Sequence, residues 1–326
     1  MAADPLDLPG FDDIVAAANR IGPRIARTPV VNSPAFDSRV GCKVYFKCEN
    51  LQHGGAFKYR GALNAVLSLV ARERVEIVAT HSSGNHGAAV ALAARACGLR
   101  AHVIVPKNAA RVKVAAIERA GGEVEYCEPG IAAREAALRE YLQRMPARVV
   151  HPFDDSSVIA GQGTAALELL GDVPDLDAVC VPVGGGGLIG GTVLAVKGVA
   201  PRCAVVGAEP EEADDAFRSF RSGVRQSVTV PKTIADGLCG SIGVRNFELL
   251  RRHVDDVVMV SEPAIVEAMR VVLEDLKLLI EPSSAVAVAA LLGGHLPAGA
   301  RRVGIVLSGG NVDLERCPFL RGERLS

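Results

Sequence analysis

The chain has 326 residues, 49% of them apolar and only 4% aromatic, with no tryptophan and a formal net charge of −1. That length supports one large or two modest domains with a substantial core, and the balanced charge gives no electrostatic case for nucleic acid or an acidic membrane. Eight cysteines are scattered without a CxxC pair or a zinc-type spacing, which suits free thiols in a reducing compartment.

The start, MAADPLDLPGFDD, is acidic and proline-containing and does not read as a signal or transit peptide, so a cytoplasmic protein is expected. Apolar positions Ile14, Val15, Ala18 and Ile21 predict a helix within Phe11–Arg27. A strand over Lys43–Cys48 feeds a turn broken by Gly54 and Gly55, and a helix opens at Lys58. The spacing then predicts strand Glu76–Thr80, the turn HSSGNHG (His81–Gly87) and a helix of small residues, Ala88–Cys97. Strand Ala101–Val105, helix Ala110–Ala120, strand Glu123–Cys127, helix Ala132–Arg144 and strand Arg148–His151 complete a βα series. Residues 76–153 are expected to form a smaller domain inserted in a larger one made of 1–75 and 154–326.

Helix Gly161–Leu170 and strand Ala178–Val183 lead into GGGGLIGG (184–191) and an alanine- and valine-rich helix. The apolar run Val179–Val196 is interrupted by six glycines and is no convincing membrane span. Strand Ala204–Ala208 ends at Glu209, and Glu211–Ile242 reads as long ordered loops. Helix Pro263–Leu276, the turn EPSS (281–284), helix Ala285–Leu292, strand Arg302–Leu307 and the loop SGGN (308–311) close the series. Strands alternating with helices predict an α/β fold with ligands at the carboxyl ends of parallel strands.

Four loops follow strands. A lysine shielded from water at a strand–turn–helix junction loses its proton and attacks carbonyls, although most lysines are solvated surface residues. GGGGLIGG is a backbone cradle for a phosphate at a helix start. Gly185, Gly187 and Gly190, with Glu209 about 20 residues on, also satisfy a dinucleotide fingerprint, which would make the chain a nicotinamide-dependent oxidoreductase. That reading leaves Lys58 and the other loops without a role. In HSSGNHG, Asn85 can donate to an oxygen, and Ser82, Ser83 and the helix start suit a carboxylate; the plain alternative is an N-cap turn. Ser308 is a neutral hydroxyl that can meet a ring nitrogen. An amino-acid-binding protein without turnover is a further alternative.

In order, FKYRGA, SSGNHG, AGQGT (Ala160–Thr164), VGGGGL, ADG (Ala235–Gly237), EPSSA and SGGNVD make the chain resemble a pyridoxal-phosphate enzyme of the β-family, close to serine racemase and the serine/threonine dehydratases. The resemblance covers nearly the whole chain. It implies fold type II, with two open, twisted, mostly parallel sheets flanked by helices, and the reaction implied is dehydration of L-threonine or L-serine to a 2-oxo acid and ammonia. Racemisation of serine and dehydration of 3-hydroxyaspartate are the implied alternatives. Lys58 matches the lysine that carries pyridoxal 5'-phosphate and Phe57 the residue beside it. Asn85 matches the partner of the cofactor's 3′-oxygen, Gly184, Gly185, Gly186, Gly187 and Leu188 the phosphate loop, and Ser308 the partner of the pyridine nitrogen. Ser82, Ser83, Asn85 and His86 match the substrate-carboxylate positions, with Arg134 at the cleft edge. Ser83 also matches the second proton donor of racemases. Glu209, the Ala213 carbonyl and Asp215 match a site for Mg2+ or Ca2+, and a homodimer is implied by analogy. Ala56 replaces a serine common in the family, and Ala88 replaces a glutamine that helps bind a nucleotide in serine racemases, which argues against nucleotide regulation. The resemblance also implies no regulatory domain beyond Asn311.

Overall fold

The computed structural model describes residues 6–82, 84–228, 231–317 and 319. The chain runs α1 (Phe11–Ile21), β1 (Val30–Val31), α2 (Pro34–Val40), β2 (Lys43–Cys48), α3 (Lys58–Arg72), β3 (Ile77–His81) and α4 (Asn85–Ala96). It continues through β4 (Arg100–Pro106), α5 (Arg111–Arg119), β5 (Gly122–Cys127), α6 (Ile131–Arg144), β6 (Arg148–Val149) and α7 (Ser156–Asp172). The last part holds β7 (Ala178–Pro182), α8 (Gly187–Val199), β8 (Ala204–Pro210), α9 (Asp215–Ser222), α10 (Val244–His253) and β9 (Asp256–Val260), then α11 (Glu262–Leu276), α12 (Pro282–Leu292) and β10 (Arg302–Leu307).

Two sheets result. One has the order β1-β2-β10-β7-β8-β9 and is parallel except for the short β1; the other, β5-β4-β3-β6, is parallel throughout. Strands such as β3 and β7 are buried at every position, which is why they read as continuous Val/Ala runs and not as alternating ones. Helices cover both sheets. Leu63, Val66, Val90 and Val158 join α3, α4 and α7 in one apolar cluster beside the smaller sheet.

Three departures from the predicted elements have local causes. The first helix stops at Ile21, because Gly22 and Pro23 turn the chain into a single 3-10 turn. α7 begins five residues before Gly161, since Asp155 caps it by accepting from the Val158 amide at 2.9 Å. Within the stretch read as loops, α9 forms because Ala216 and Ser219 bury one face while Arg218 and Arg221 stay on the other. No helix among the described residues is long and apolar enough to cross a membrane.

Candidate active site

Strand order brings the functional loops together. β2, β10 and β7 are adjacent and parallel, with Leu307 beside Cys48. The lysine loop, the SGGN loop and the glycine loop therefore leave the same edge of one sheet. The end of β3 supplies the HSSGNHG turn from the other sheet. A cleft of about 590 Å3 lies between them.

Lys58 stands at the first position of α3 and lines this cleft. Its Nζ donates to the Pro152 carbonyl at 2.8 Å and forms no ion pair among the described residues. Burial lowers its pKa to about 8, against a weaker upward pull from Glu281. Phe57 packs alongside, with Nζ 5.1 Å from its ring centre. The backbone N–H of Phe57 donates to the Ser308 carbonyl at 3.0 Å, so the lysine loop and the SGGN loop are tied directly. Ser308 is buried and lines the cleft.

The glycine loop turns through Gly186 at φ +86 and enters α8 at Gly187, so the first amides of that helix, which have no partner within it, belong to residues that line the cleft. A side chain at Gly185 would sit 2.2 Å from the Phe153 ring, so the loop is pressed against that residue and must be bare backbone. Gly184, Gly187 and Leu188 line the same wall. This cradle, with an unpaired buried amine nearby, fits a small phosphate-bearing aldehyde.

Asn85 and His86 begin α4 and do not sit in the preceding turn. Asn85 Nδ2 donates to Glu281 Oε1 at 2.7 Å, and its Oδ1 accepts from Asn311 Nδ2 at 3.0 Å. His86 Nε2 meets the Val150 carbonyl at 3.1 Å, and burial drives its pKa well below the usual range, so the ring is neutral and Nε2 donates. Ser82 Oγ accepts from the Gly84 amide at 3.2 Å. Ser83 lies outside the described residues. Arg134, on α6, lines the cleft with no carboxylate partner among the described residues, and its Nε makes no hydrogen bond.

The Glu209–Asp215 pair lies off the cleft, at the end of β8 and the start of α9. Glu209 accepts from the amides of Ala216 and Phe217 at 3.2 and 2.7 Å, and Asp215 Oδ2 accepts from Ile242 at 2.8 Å. Both carboxylates are fully buried. Burial and the charge of Asp215 push Glu209 well above the ordinary carboxylate range, and burial pushes Asp215 up to about 6. Asp215 Oδ1 has no partner among the described residues. Ala213 is buried beside them. Among the described residues no cluster of three or more His, Cys, Asp or Glu side chains stands ready for a metal ion, so a cation here would need backbone oxygen or water as well.

Sequence reasoning misses one residue and one segment that the fold brings to the cleft. Glu281 reads in the sequence only as part of a turn, yet burial raises its pKa to about 7 and its Oε2 has no partner among the described residues. The segment His151–Asp155 supplies the acceptor for Lys58 and the ring behind Gly185. It is a fifth strand-to-helix junction, between β6 and α7, and the criterion used for the other four loops applies to it equally.

A conserved-sequence pattern described as "Pyridoxal-phosphate dependent enzyme" matches residues 21–309. The beta-hydroxyaspartate dehydratase of Paracoccus denitrificans is 42% identical over 312 residues, covering 96% of this chain and 99% of that one. The serine racemase of Arabidopsis thaliana is 46% identical over 306 residues, 92% of each chain. Among solved structures, maize serine racemase superposes with a TM-score of 0.92 at 41% identity, covering 94% of this chain and 95% of that one. The fold is therefore that of the fold type II enzymes that use pyridoxal phosphate. The chain belongs to this family of pyridoxal-phosphate dependent enzymes, in the group of serine racemases and threonine deaminases.

Proposed function

We propose that the protein is an ammonia-lyase acting on β-hydroxy amino acids, converting L-serine and L-threonine to 2-oxo acids and ammonia. The observation that carries this reading is Lys58: a cleft amine with a pKa lowered to about 8 and no ion-pair partner among the described residues, between a phosphate cradle and a helix start suited to a carboxylate. Bound there, pyridoxal phosphate would supply an electron sink for the bond broken at the substrate's α-carbon.

The chain's own residues then divide the remaining tasks. Lys58 would hold the cofactor's aldehyde and, once displaced by the substrate amine, take the α-proton as a base close to neutrality. Gly184 to Leu188 would hold the phosphate through backbone amides, Asn85 the 3′-oxygen, and Ser308 the ring nitrogen. A neutral hydroxyl leaves that nitrogen unprotonated and favours prompt elimination. Ser82, with Asn85 and His86 at the start of α4, would take the substrate carboxylate, as would Ser83 by the resemblance. Residues 76–153 would form the substrate-side domain.

Pyruvate and ammonia from L-serine, and 2-oxobutyrate from L-threonine, are the expected products. D-serine in large excess over pyruvate would overturn the reading in favour of racemisation.

A second reading, dehydration of β-hydroxyaspartate, is favoured by Arg134. An unpaired guanidinium facing the cleft suits a substrate with a second carboxylate, and a whole-length relative carries that activity in its name. It predicts a higher kcat/KM for 3-hydroxyaspartate than for L-serine, and a preference that Arg134→Met reverses.

We also propose that the Glu209–Asp215 pair takes Mg2+ or Ca2+, since a hard cation would satisfy Asp215 Oδ1 and relieve two buried like charges. Added cation should then raise thermal stability at pH 8, by about 2.7 kcal/mol at one hundred times its dissociation constant. Below about pH 6, where both carboxyls keep their protons, the gain should fade. An equal gain at both pH values, or none, removes the site.

A further inference from the structure

His151 follows β6 and is half-buried in the cleft wall, one residue before the carbonyl that anchors Lys58. Its Nδ1 accepts two backbone amides of its own turn, Asp154 at 2.8 Å and Phe153 at 3.3 Å. A ring nitrogen that accepts N–H groups carries no hydrogen, so the imidazole is neutral and its single proton sits on Nε2. The ring is held edge-on between His81, with centroids 6.0 Å apart, and Phe153, at 4.8 Å, and cannot swing freely. Among the described residues Nε2 has no hydrogen-bond partner, and it lies on the side of the ring away from the turn. The chain has thus built a fixed donor on a ring that lines the cleft and left it without a partner among the described residues.

We propose that His151 Nε2–H binds the oxygen on the substrate's β-carbon and fixes it for departure. The assignment rests on the function proposed above. With the substrate's amine at Lys58 and its carboxylate at the start of α4, the β-oxygen is the polar atom left to meet a donor beside the Lys58 anchor. His151 orients and stabilises; it is not the acid. Giving up its only proton would leave an imidazole anion, and Nδ1 cannot be protonated in exchange while two amides point at it. The proton that turns the departing hydroxide into water is therefore the one Lys58 took from the α-carbon, and its delivery leaves that amine neutral again. Burial, which lowers the His151 pKa, agrees with a ring that stays neutral.

The test compares two leaving groups in the cofactor-loaded enzyme. L-serine needs help at its oxygen, whereas β-chloro-L-alanine expels chloride unaided. His151→Asn keeps an oxygen to accept the Asp154 amide but loses the cleft donor. It should lower kcat/KM on L-serine about a hundredfold while leaving β-chloro-L-alanine within about threefold of wild type. His151→Gln, which carries an amide N–H further out, should recover part of the serine activity. Equal loss on both substrates, or no loss on L-serine in His151→Asn, overturns the proposal. A second measurement needs no variant. In the 15N-histidine spectrum of the wild-type holoenzyme, His151 should be the Nε2–H tautomer, and its Nε2 signal should move with α-methyl-L-serine but not with 2-aminoisobutyrate, which lacks the hydroxyl. The opposite tautomer, or equal movement with both, overturns it as well. If the wild-type enzyme releases no 2-oxo acid from either substrate, the proposed function falls, and the two-analogue comparison still decides the hydrogen bond.

Discussion

Lys58 and Arg60 lie two residues apart on α3, about 200° around the helix axis, and the fold treats these two cations in opposite ways. Arg60 is fully buried and saturated. Its guanidinium makes paired bonds to Glu49 at 2.7 and 2.8 Å and to Glu168 at 2.8 and 2.8 Å, with a fifth to Thr164 at 3.2 Å. Lys47 closes the cluster, reaching Glu168 and the Thr28 carbonyl at 2.7 Å each. These partners push the Arg60 pKa up in spite of burial, whereas Lys58, facing one carbonyl and no paired acid, is pushed down. One helix start therefore carries a cation fixed as scaffold and an amine released from any carboxylate among the described residues, the one proposed above as nucleophile. What separates them is the presence of carboxylates, and burial alone does not.

The largest effect should come from removing the released cation. Lys58→Ala is expected to lower kcat by more than about a thousandfold, the scale of a lost base with its nucleophilic role added. Hydride trapping followed by peptide mapping should then find no pyridoxyl group at position 58, while thermal unfolding changes little. A tag elsewhere on fully loaded wild-type protein would remove the basis of the comparison.

The converse change should strike stability and spare the chemistry. Glu49→Ala leaves Arg60 buried with one of its two carboxylate partners, and breaking a buried pair in this way costs about 3–5 kcal/mol. Urea unfolding should show that loss, and whatever protein remains folded should still be trapped at Lys58. If turnover fell while stability held, the Arg60 cluster would be part of the catalytic apparatus and not its support.

The sequence reveals one member of this contrast and hides the other. Lys58 is legible because a strand, a glycine-broken turn and a helix start surround it locally, and Gly184–Gly187 are legible because consecutive glycines have few other uses. Arg60 reads as an ordinary helix residue, since its partners lie eleven residues back and 108 residues ahead. Glu281 is similarly silent until the fold sets it against Asn85, 196 positions away. Pro152 contributes through a backbone carbonyl, which no residue type announces. Even so, the αβ alternation was enough to foresee an α/β fold with parallel strands, and the division into two sheets followed only from the family resemblance. α9 and α10, short and set among polar residues, were not foreseen.

A lowered lysine pKa also has a consequence for stability that distinguishes the two cations. In cofactor-free protein, Lys58 holds its proton less firmly folded, at about 8, than unfolded, at the ordinary 10.5. Between those values the unfolded chain binds more protons, so folding stability should rise as pH is raised from about 8 towards 10.5. Below 8 both states are protonated and the full cost of the buried charge remains. The difference in urea stability between wild type and Lys58→Met, followed against pH, isolates this group, because the remaining titrating residues are common to both. A flat difference would mean that Lys58 is not held against its charge.

The smallest change sharpens the contrast by degree. Glu281 is the acid that raises the Lys58 pKa, and it bonds Asn85 through Oε1. Glu281→Gln keeps an oxygen for Asn85 and removes only the charge, so the geometry should hold while the Lys58 midpoint falls further below about 8. The pH dependence of Lys58 acylation in cofactor-free protein reads this directly. Glu281 itself titrates near 7, because burial outweighs its neighbours. The two groups therefore attract as opposite charges only in the interval from about 7 to about 8, and the variant should differ from wild type mainly there. An upward move of the midpoint would show that Glu281 acts on Lys58 through the packing of the cleft, and that its charge is not what tempers the lysine.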